Sequence, residues 1–210
     1  NDKLQQEGEE IERQKLEDEI LRNYEASDKM IASTDLKKEL DARPRNNFRL
    51  NTQFPILNSF FDGFREGNLI VVSGLTGDGK TEVCMDFAGY FIENNLKVAW
   101  FNFETTQAEI LERFERKGNG LPIFYLPREM KNSFKWFRSK IREAILKYDI
   151  KVVFIDYLTP LAGMTDLNQN MAQNYSIYLG QIMQEVANIA ISNNLIIFLI
   201  VHPTKSDETQ

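Results

Sequence analysis

The 210-residue chain sets 25 Lys and Arg against 31 Asp and Glu, a formal net charge of −6, and its 42% hydrophobic content allows one domain with a full core plus an appendage. A chain that held nucleic acid on a broad basic face would be balanced differently, so contact with DNA or RNA must come from local loops or from a ring of subunits. The single cysteine, Cys84, leaves no internal disulfide framework, no apolar run approaches the ~20 residues of a membrane span, and no signal-peptide pattern opens the chain, so the sequence reads as soluble and from a reducing, intracellular compartment.

Residues 1–47 hold 13 acidic and 9 basic side chains, so most of the excess charge is N-terminal. Leu4, Ile11, Leu16, Ile20, Tyr24 and Ile31 form a thin apolar stripe at helical spacing over residues 3–31. Such a helix needs a partner surface; the other reading is a frayed, solvated helix or a disordered tail. Ser33 or Thr34 can cap a second short helix through Leu40, and Arg43-Pro44-Arg45-Asn46-Asn47 reads as a linker. This divides the chain into a charged helical linker, 1–47, and an α/β unit, 48–210.

From Phe48 onward strands and helices alternate. The apolar run Leu69-Ile70-Val71-Val72-Ser73 is a strand, and a helix of about residues 80–94 follows. Cys84 lies on that helix as a small buried apolar residue. Lys97–Phe103 is the next strand. Thr106-Gln107-Ala108-Glu109 is a capping box that opens a helix to about Lys117, and Leu121–Leu126 is a short apolar strand. Phe137, Ile141, Ile145 and Tyr148 mark the inner face of a further helix. Val152–Ile155 is a strand ending at Asp156, a polar stretch follows from Gly163 to Asn174, and a helix of about 175–193 leads to the strand Leu195–Val201. Strands that are apolar throughout, separated by helices, imply a mostly parallel sheet covered on both faces, with ligands at the carboxyl ends of the strands.

Between the first strand and its helix, Gly74-Leu75-Thr76-Gly77-Asp78-Gly79-Lys80-Thr81 fits GxxxxGK(S/T), the phosphate-binding P-loop. Its glycines let successive backbone N–H groups turn inward around phosphates, and the helix points its positive end at them. Lys80 then reaches the β and γ phosphates, and Thr81 offers its hydroxyl to Mg²⁺. ATP and Mg²⁺ are the expected ligands. Three polar residues stand directly after other strands: Glu104, Asp156 and His202, the chain's one histidine. Lys151-Val152-Val153-Phe154-Ile155-Asp156 has the form of a Walker B strand, whose carboxylate holds Mg²⁺ directly or through its water. Where many ATPases place a catalytic Glu next, this chain has Tyr157, so Glu104 is the remaining carboxylate for activating water. An adjacent strand end would set it across from Lys80 and Asp156. His202 can donate a hydrogen bond to a γ-phosphate oxygen and register its loss.

The set resembles the RecA-like core of the DnaB-type hexameric helicases (superfamily 4), and among them the helicase half of phage primase-helicases and the mitochondrial Twinkle helicases. The matching segments are Phe54-Pro55-Ile56-Leu57-Asn58 with Gly63 and Gly67, the P-loop, Asn102-Phe103-Glu104, Phe154-Ile155-Asp156-Tyr157-Leu158 and Val201-His202-Pro203-Thr204-Lys205, over about residues 48–207. The resemblance implies a catalytic base at Glu104, a Mg²⁺ ligand at Asp156 and a γ-phosphate sensor at His202. It also implies an ATPase that moves 5′ to 3′ on single-stranded DNA and unwinds duplex in replication. The linker helix would dock on a neighbouring subunit of a hexameric ring, 163–174 would be the first DNA loop of the channel, and a primase domain or partner could accompany the core. A RecA- or KaiC-type switch or recombination ATPase, which does not unwind, shares the P-loop and Glu104 and is the alternative.

The chain opens on Asn1 and stops in a polar stretch after a strand, which reads as a piece of a longer polypeptide. By the same resemblance a second DNA loop and an arginine finger would lie beyond Gln210, so these residues alone are expected to hydrolyse ATP slowly. The expected compartment is the cytoplasm of a bacterial or phage-infected cell, with the mitochondrial matrix as the alternative, and no membrane is involved.

Overall fold

A computed structural model describes residues 2–23, 29–42, 49–118, 120–131, 133–157 and 175–202. The linker 43–47, the polar stretch 163–174 and residues 203–205 lie outside the described residues, as do Tyr24 of the apolar stripe and Leu158. The chain divides into two compact units, Asn1–Asn47 and Phe48–Gln210.

The first unit holds helices α1 (Asp2–Arg22) and α2 (Ser33–Ala42). Helix α1 ends well before Ile31, so the expected single stripe over 3–31 is broken. Leu16 and Ile20, one turn apart on α1, are each 60% exposed, and α2 buries no residue. Its helices lean instead on ion pairs one turn apart, Arg13–Glu17, Lys37–Asp41 and Lys38–Asp35 at 2.9–3.2 Å, each worth about 0.3–0.5 kcal/mol at an exposed site.

The second unit opens with a small antiparallel pair, β1 (Arg49–Leu50) and β2 (Phe64–Arg65), bracketing α3 (Pro55–Phe60). Thr52, 3% exposed, ties this bracket together: its N–H donates to Asn58 Oδ1 at 2.8 Å, and Asn58 Nδ2 donates back to the Thr52 carbonyl at 2.7 Å. The main sheet has four parallel strands in the order β3 (Leu69–Ser73), β6 (Ile196–Val201), β5 (Val152–Asp156), β4 (Val98–Asn102). Parallel neighbours require crossovers, and helices α4 (Lys80–Glu93), α5 (Gln107–Lys117), α6 (Phe134–Tyr148) and α7 (Tyr175–Asn193) supply them.

Residues two apart along each strand share a face, which sorts the core into two layers. Ala99, Phe101, Val153, Ile155, Ile197 and Leu199 pack with α6 and α7; Val98, Trp100, Val152, Phe154, Ile196 and Phe198 pack with α4 and α5. On the second face the register aligns Trp100, Phe154 and Phe198 in one row. Their rings stack at 4.9 and 4.7 Å with planes 16° and 14° apart, Phe114 of α5 meets Trp100 edge-on at 5.2 Å, and Phe87 and Phe91 of α4 close on Phe198. Strand β3 departs from the expectation of full cover, with Val71 41% exposed.

One expected strand is absent. Leu121–Leu126 reduces to a single parallel bridge between Tyr125 and Ala99, with Trp100 N–H donating to Tyr125 O at 2.8 Å and Tyr125 N–H to Val98 O at 2.9 Å. Pro127 stands where the next rung needs an N–H and has none, so pairing does not extend past that bridge towards the strand's carboxyl end. Truncating the middle ring of the aromatic row, Phe154→Ala, is expected to cost about 3–5 kcal/mol, whereas Ile191→Ala, at a side chain 64% exposed, stays within about 0.5 kcal/mol. Urea denaturation of the two variants beside the parent chain measures both.

Candidate active site

The parallel register brings the carboxyl ends of all four strands to one edge. Ser73 pairs with Val201, and Asn102 pairs with Asp156, which pairs with Ile200, so the residues that follow emerge side by side. At β3 the chain enters the loop 74–79. Gly77 and Gly79 have φ of 91° and 80°, values that disfavour any side chain, although no atom lies within 4 Å of where a Cβ would stand. Gly74 is required for a different reason, because a Cβ there would sit 3.1 Å from Asp78 Oδ2 and 3.5 Å from Lys80 Cδ. Asp78 turns inward: its Oδ2 accepts the Leu75 N–H at 2.6 Å and staples the loop upon itself. The sequence placed Asp78 among the phosphate-binding residues, but in the fold its side chain serves the loop's own backbone.

Lys80 begins α4 directly behind Gly79 and is 7% exposed. Its ammonium donates to the Gly74 and Leu75 carbonyls, both at 2.7 Å, which leaves one of its three donors for another partner. Thr81 follows, and its hydroxyl donates to Asp156 Oδ2 at 2.9 Å across 75 residues of sequence. Asp156 is 1% exposed and its Oδ1 has no hydrogen-bond partner among the described residues. Burial pushes its carboxyl up to about 6; the Thr81 hydrogen bond opposes the shift, the charge of Glu104 adds to it, and His202 and Arg113 work against it. A buried, half-satisfied carboxylate beside a hydroxyl is a donor set that suits a hard, oxygen-seeking cation such as Mg²⁺. Beneath α4, fully buried Cys84 has its thiol pKa pushed well above the usual range, first by burial and then by Asp156.

Glu104 leaves β4, which neighbours β5. It stands beside Asp156, at the end of the adjacent strand, with β5 and β6 between β4 and the P-loop strand. What shapes its turn is Asn102, 5% exposed: Nδ2 donates to the Thr105 carbonyl and hydroxyl at 2.7 and 2.8 Å, and Oδ1 accepts the Glu104 and Thr105 N–H groups at 3.3 and 3.4 Å. The sequence analysis quoted Asn102 only as part of a motif; an Asn two residues before a candidate base is the signal of such an Asx turn. Immediately after it, Thr106 and Glu109 make both bonds of the capping box and launch α5. At the other end of α5 Lys117 donates to Glu82 O, Glu82 Oε2 and Asp86 Oδ1 at 2.8–2.9 Å, so this helix joins the turn bearing Glu104 to the first turns of α4.

His202 follows β6. Its Nε2 lies 3.8 Å from Glu104 Oε2, and its ring meets that of Tyr157 edge-to-face at 4.9 Å. Lys80, Thr81, Asp156, Glu104 and His202 therefore share one edge of the sheet. Arg113, for which the sequence offers no motif, is carried by α5 to where its charge reaches Asp156.

The charge on Asp156 fixes the sign of a pH effect. The folded protein holds this proton more tightly than the unfolded chain, whose carboxyl titrates near 3.8, so the contribution of Asp156 to stability falls as pH rises from about 4 to about 6. Asp156→Asn removes that loss. Measured without nucleotide, the variant is expected to gain about 1–3 kcal/mol on the parent chain at pH 7 and nothing at pH 3.5; chemical denaturation at the two values checks the difference.

A protein-family model described as an AAA domain matches residues 37–208. A curated protein of Trieres chinensis, "Probable replicative DNA helicase", is 22% identical over 191 residues, which cover 77% of this chain and 41% of that protein. The chain thus spans about two fifths of the length of the curated relative it matches. Among solved structures, a chain described as an "ATPase Domain" superposes with a TM-score of 0.64 at 15% identity over 82% of this chain and 70% of that one, which establishes a shared fold. No helix among the described residues is long and apolar enough to cross a membrane.

Proposed function

Because the chain belongs to the AAA domain family, we propose that it is the ATPase core of a replicative DNA helicase, coupling ATP hydrolysis to movement along single-stranded DNA and to parting of the duplex. The observation that carries this reading is the hydrogen bond of Thr81 to buried Asp156, which joins the P-loop helix to the strand end beside Glu104 and His202. The printed name of the curated relative supports the DNA-helicase part.

The residues divide the chemistry. Backbone N–H groups of the loop 74–79 and the positive end of α4 receive the phosphates, and Lys80 turns its free donor to the β and γ oxygens. Thr81 and Asp156 hold Mg²⁺, which when bound adds positive charge against the phosphates. Glu104 orients a water in line with the γ phosphorus and accepts its proton as the oxygen–phosphorus bond forms and the bond to the β-phosphate oxygen breaks. His202 donates to a γ-phosphate oxygen, and the loss of that contact after hydrolysis passes to β6. Arg113 offsets the negative charge that Asp156 and Glu104 concentrate beside the leaving phosphate. Subunits close into a ring, taken as a hexamer, with α1 and α2 as the joining linker and single-stranded DNA in the channel, contacted by residues 163–174.

Two substitutions separate binding from chemistry. Lys80→Ala is expected to abolish measurable binding of a fluorescent ATP analogue, since it removes the loop's buried cation. Glu104→Gln keeps size but cannot accept a proton, so binding persists while phosphate release falls by a factor on the order of 100 or more. For the helicase reading itself, the parent polypeptide is given a forked DNA with one labelled strand. Strand release that needs ATP and is lost in Lys80→Ala is the expected result; ATP turnover with no strand release would overturn the DNA-unwinding reading and leave the ATPase standing.

A further inference from the structure

Resting on the reading of His202 as the contact to the γ phosphate, we propose that Tyr157 is the positioning residue that sets the plane of the His202 imidazole. A histidine that must aim one nitrogen at a ligand is ordinarily held by a hydrogen bond at the other nitrogen, to a carbonyl or a carboxylate. His202 has no such anchor among the described residues. Its Nδ1 is buried and without a partner, and its Nε2, 3.8 Å from Glu104 Oε2, is beyond hydrogen-bond length. A gap of that length does not fix the ring's rotation about Cβ–Cγ.

The Tyr157 ring does fix it. The two rings meet at 4.9 Å with planes 86° apart, the arrangement in which the positive edge of one aromatic ring faces the negative face of the other. The sheet brings the two residues to one edge. Asp156 pairs with Ile200, so Tyr157 and His202 leave neighbouring parallel strands within one residue of each other, on the same edge. Tyr157 is also partly buried, as is His202, which limits the room for either ring to turn. The position directly after Asp156, where a carboxylate would be a base, is given in this proposal to a ring that orients a neighbour.

His202 is the chain's one histidine, so its ring signals are unambiguous in an NMR spectrum of the whole chain. In the parent chain and in Tyr157→Phe, its Cδ2 and Cε1 protons are expected to be displaced from free-histidine positions by the neighbouring ring and to move further on adding Mg²⁺ with a non-hydrolysable ATP analogue. In Tyr157→Leu the displacement is lost and the response to the analogue shrinks, while affinity for it changes less than about twofold. Where hydrolysis is measured, kcat falls about two- to tenfold with KM for ATP steady, and Phe restores it. A displacement that survives in Tyr157→Leu overturns the proposal, and so does a Phe variant that behaves like Leu. Nuclear Overhauser contacts between the Tyr157 and His202 rings in the parent chain give a reading independent of whether Leu folds; their absence overturns it as well. An analogue that binds no form of the chain would overturn the nucleotide site instead, with the ring displacement still deciding the contact.

Discussion

A carboxylate sealed at the edge of a hydrophobic sheet is the constraint around which this unit is organised. Asp156 ends a strand whose five residues are all buried, and water does not reach it. Among the described residues its carboxylate accepts one hydrogen bond, from Thr81, so the first turn of α4 is bound to the central strand β5 by the group that most needs a partner. Everything nearby answers the same charge: a hydroxyl on one oxygen, a histidine and an arginine within reach, and a second carboxylate that makes matters worse. Structural economy alone would place a valine or a threonine there. A sheet with such a residue carries a destabilising group that a bound cation would offset, as expected of a site that trades stability for binding.

The remaining geometry keeps that edge in register. The aromatic row Trp100–Phe154–Phe198 crosses three strands at one level, and α4 presses Phe87 and Phe91 onto it, so the strand ends cannot slide relative to the P-loop helix without unstacking the row. Helix α5 fixes the other side. Its capping box stands two residues from Glu104, its Lys117 grips the beginning of α4, and Phe114 meets Trp100 between the two. Glu104, on an exposed turn, is held through three linked supports: the Asn102 turn, the cap and the clamp.

Much of this was legible in the sequence because its signals are local. The P-loop spacing, the capping box at Thr106–Glu109 and the unbroken apolar runs each specify their structure over a few residues, and those elements fall within a residue or two of expectation. What the sequence left open is non-local. Strand order is not written in any one segment, so the placing of β5 and β6 between the strand of Glu104 and the P-loop strand is seen only in the fold. The ring contact of Tyr157 with His202 joins residues 45 positions apart, and only the register of β5 against β6 reveals it. The run 121–126 has strand composition yet forms one bridge, because Pro127 lacks the N–H that the next rung needs. The end of α1 at Arg22 was missed for the opposite reason: a stripe with no buried face to pack against carries little information on where a helix stops.

Cys84 gives the fold a built-in gauge. Its thiol is fully buried on the inner side of the P-loop helix and held in the unreactive, protonated form, so alkylating reagents reach it only when α4 lifts from the core. Since the chain has no second cysteine, the rate of its modification measures the opening free energy of that helix alone, at the place where phosphates would press on its first turn. A cysteine added anywhere on the surface would meanwhile be the one fast-reacting thiol, and the two reactions could be followed in the same sample without interfering.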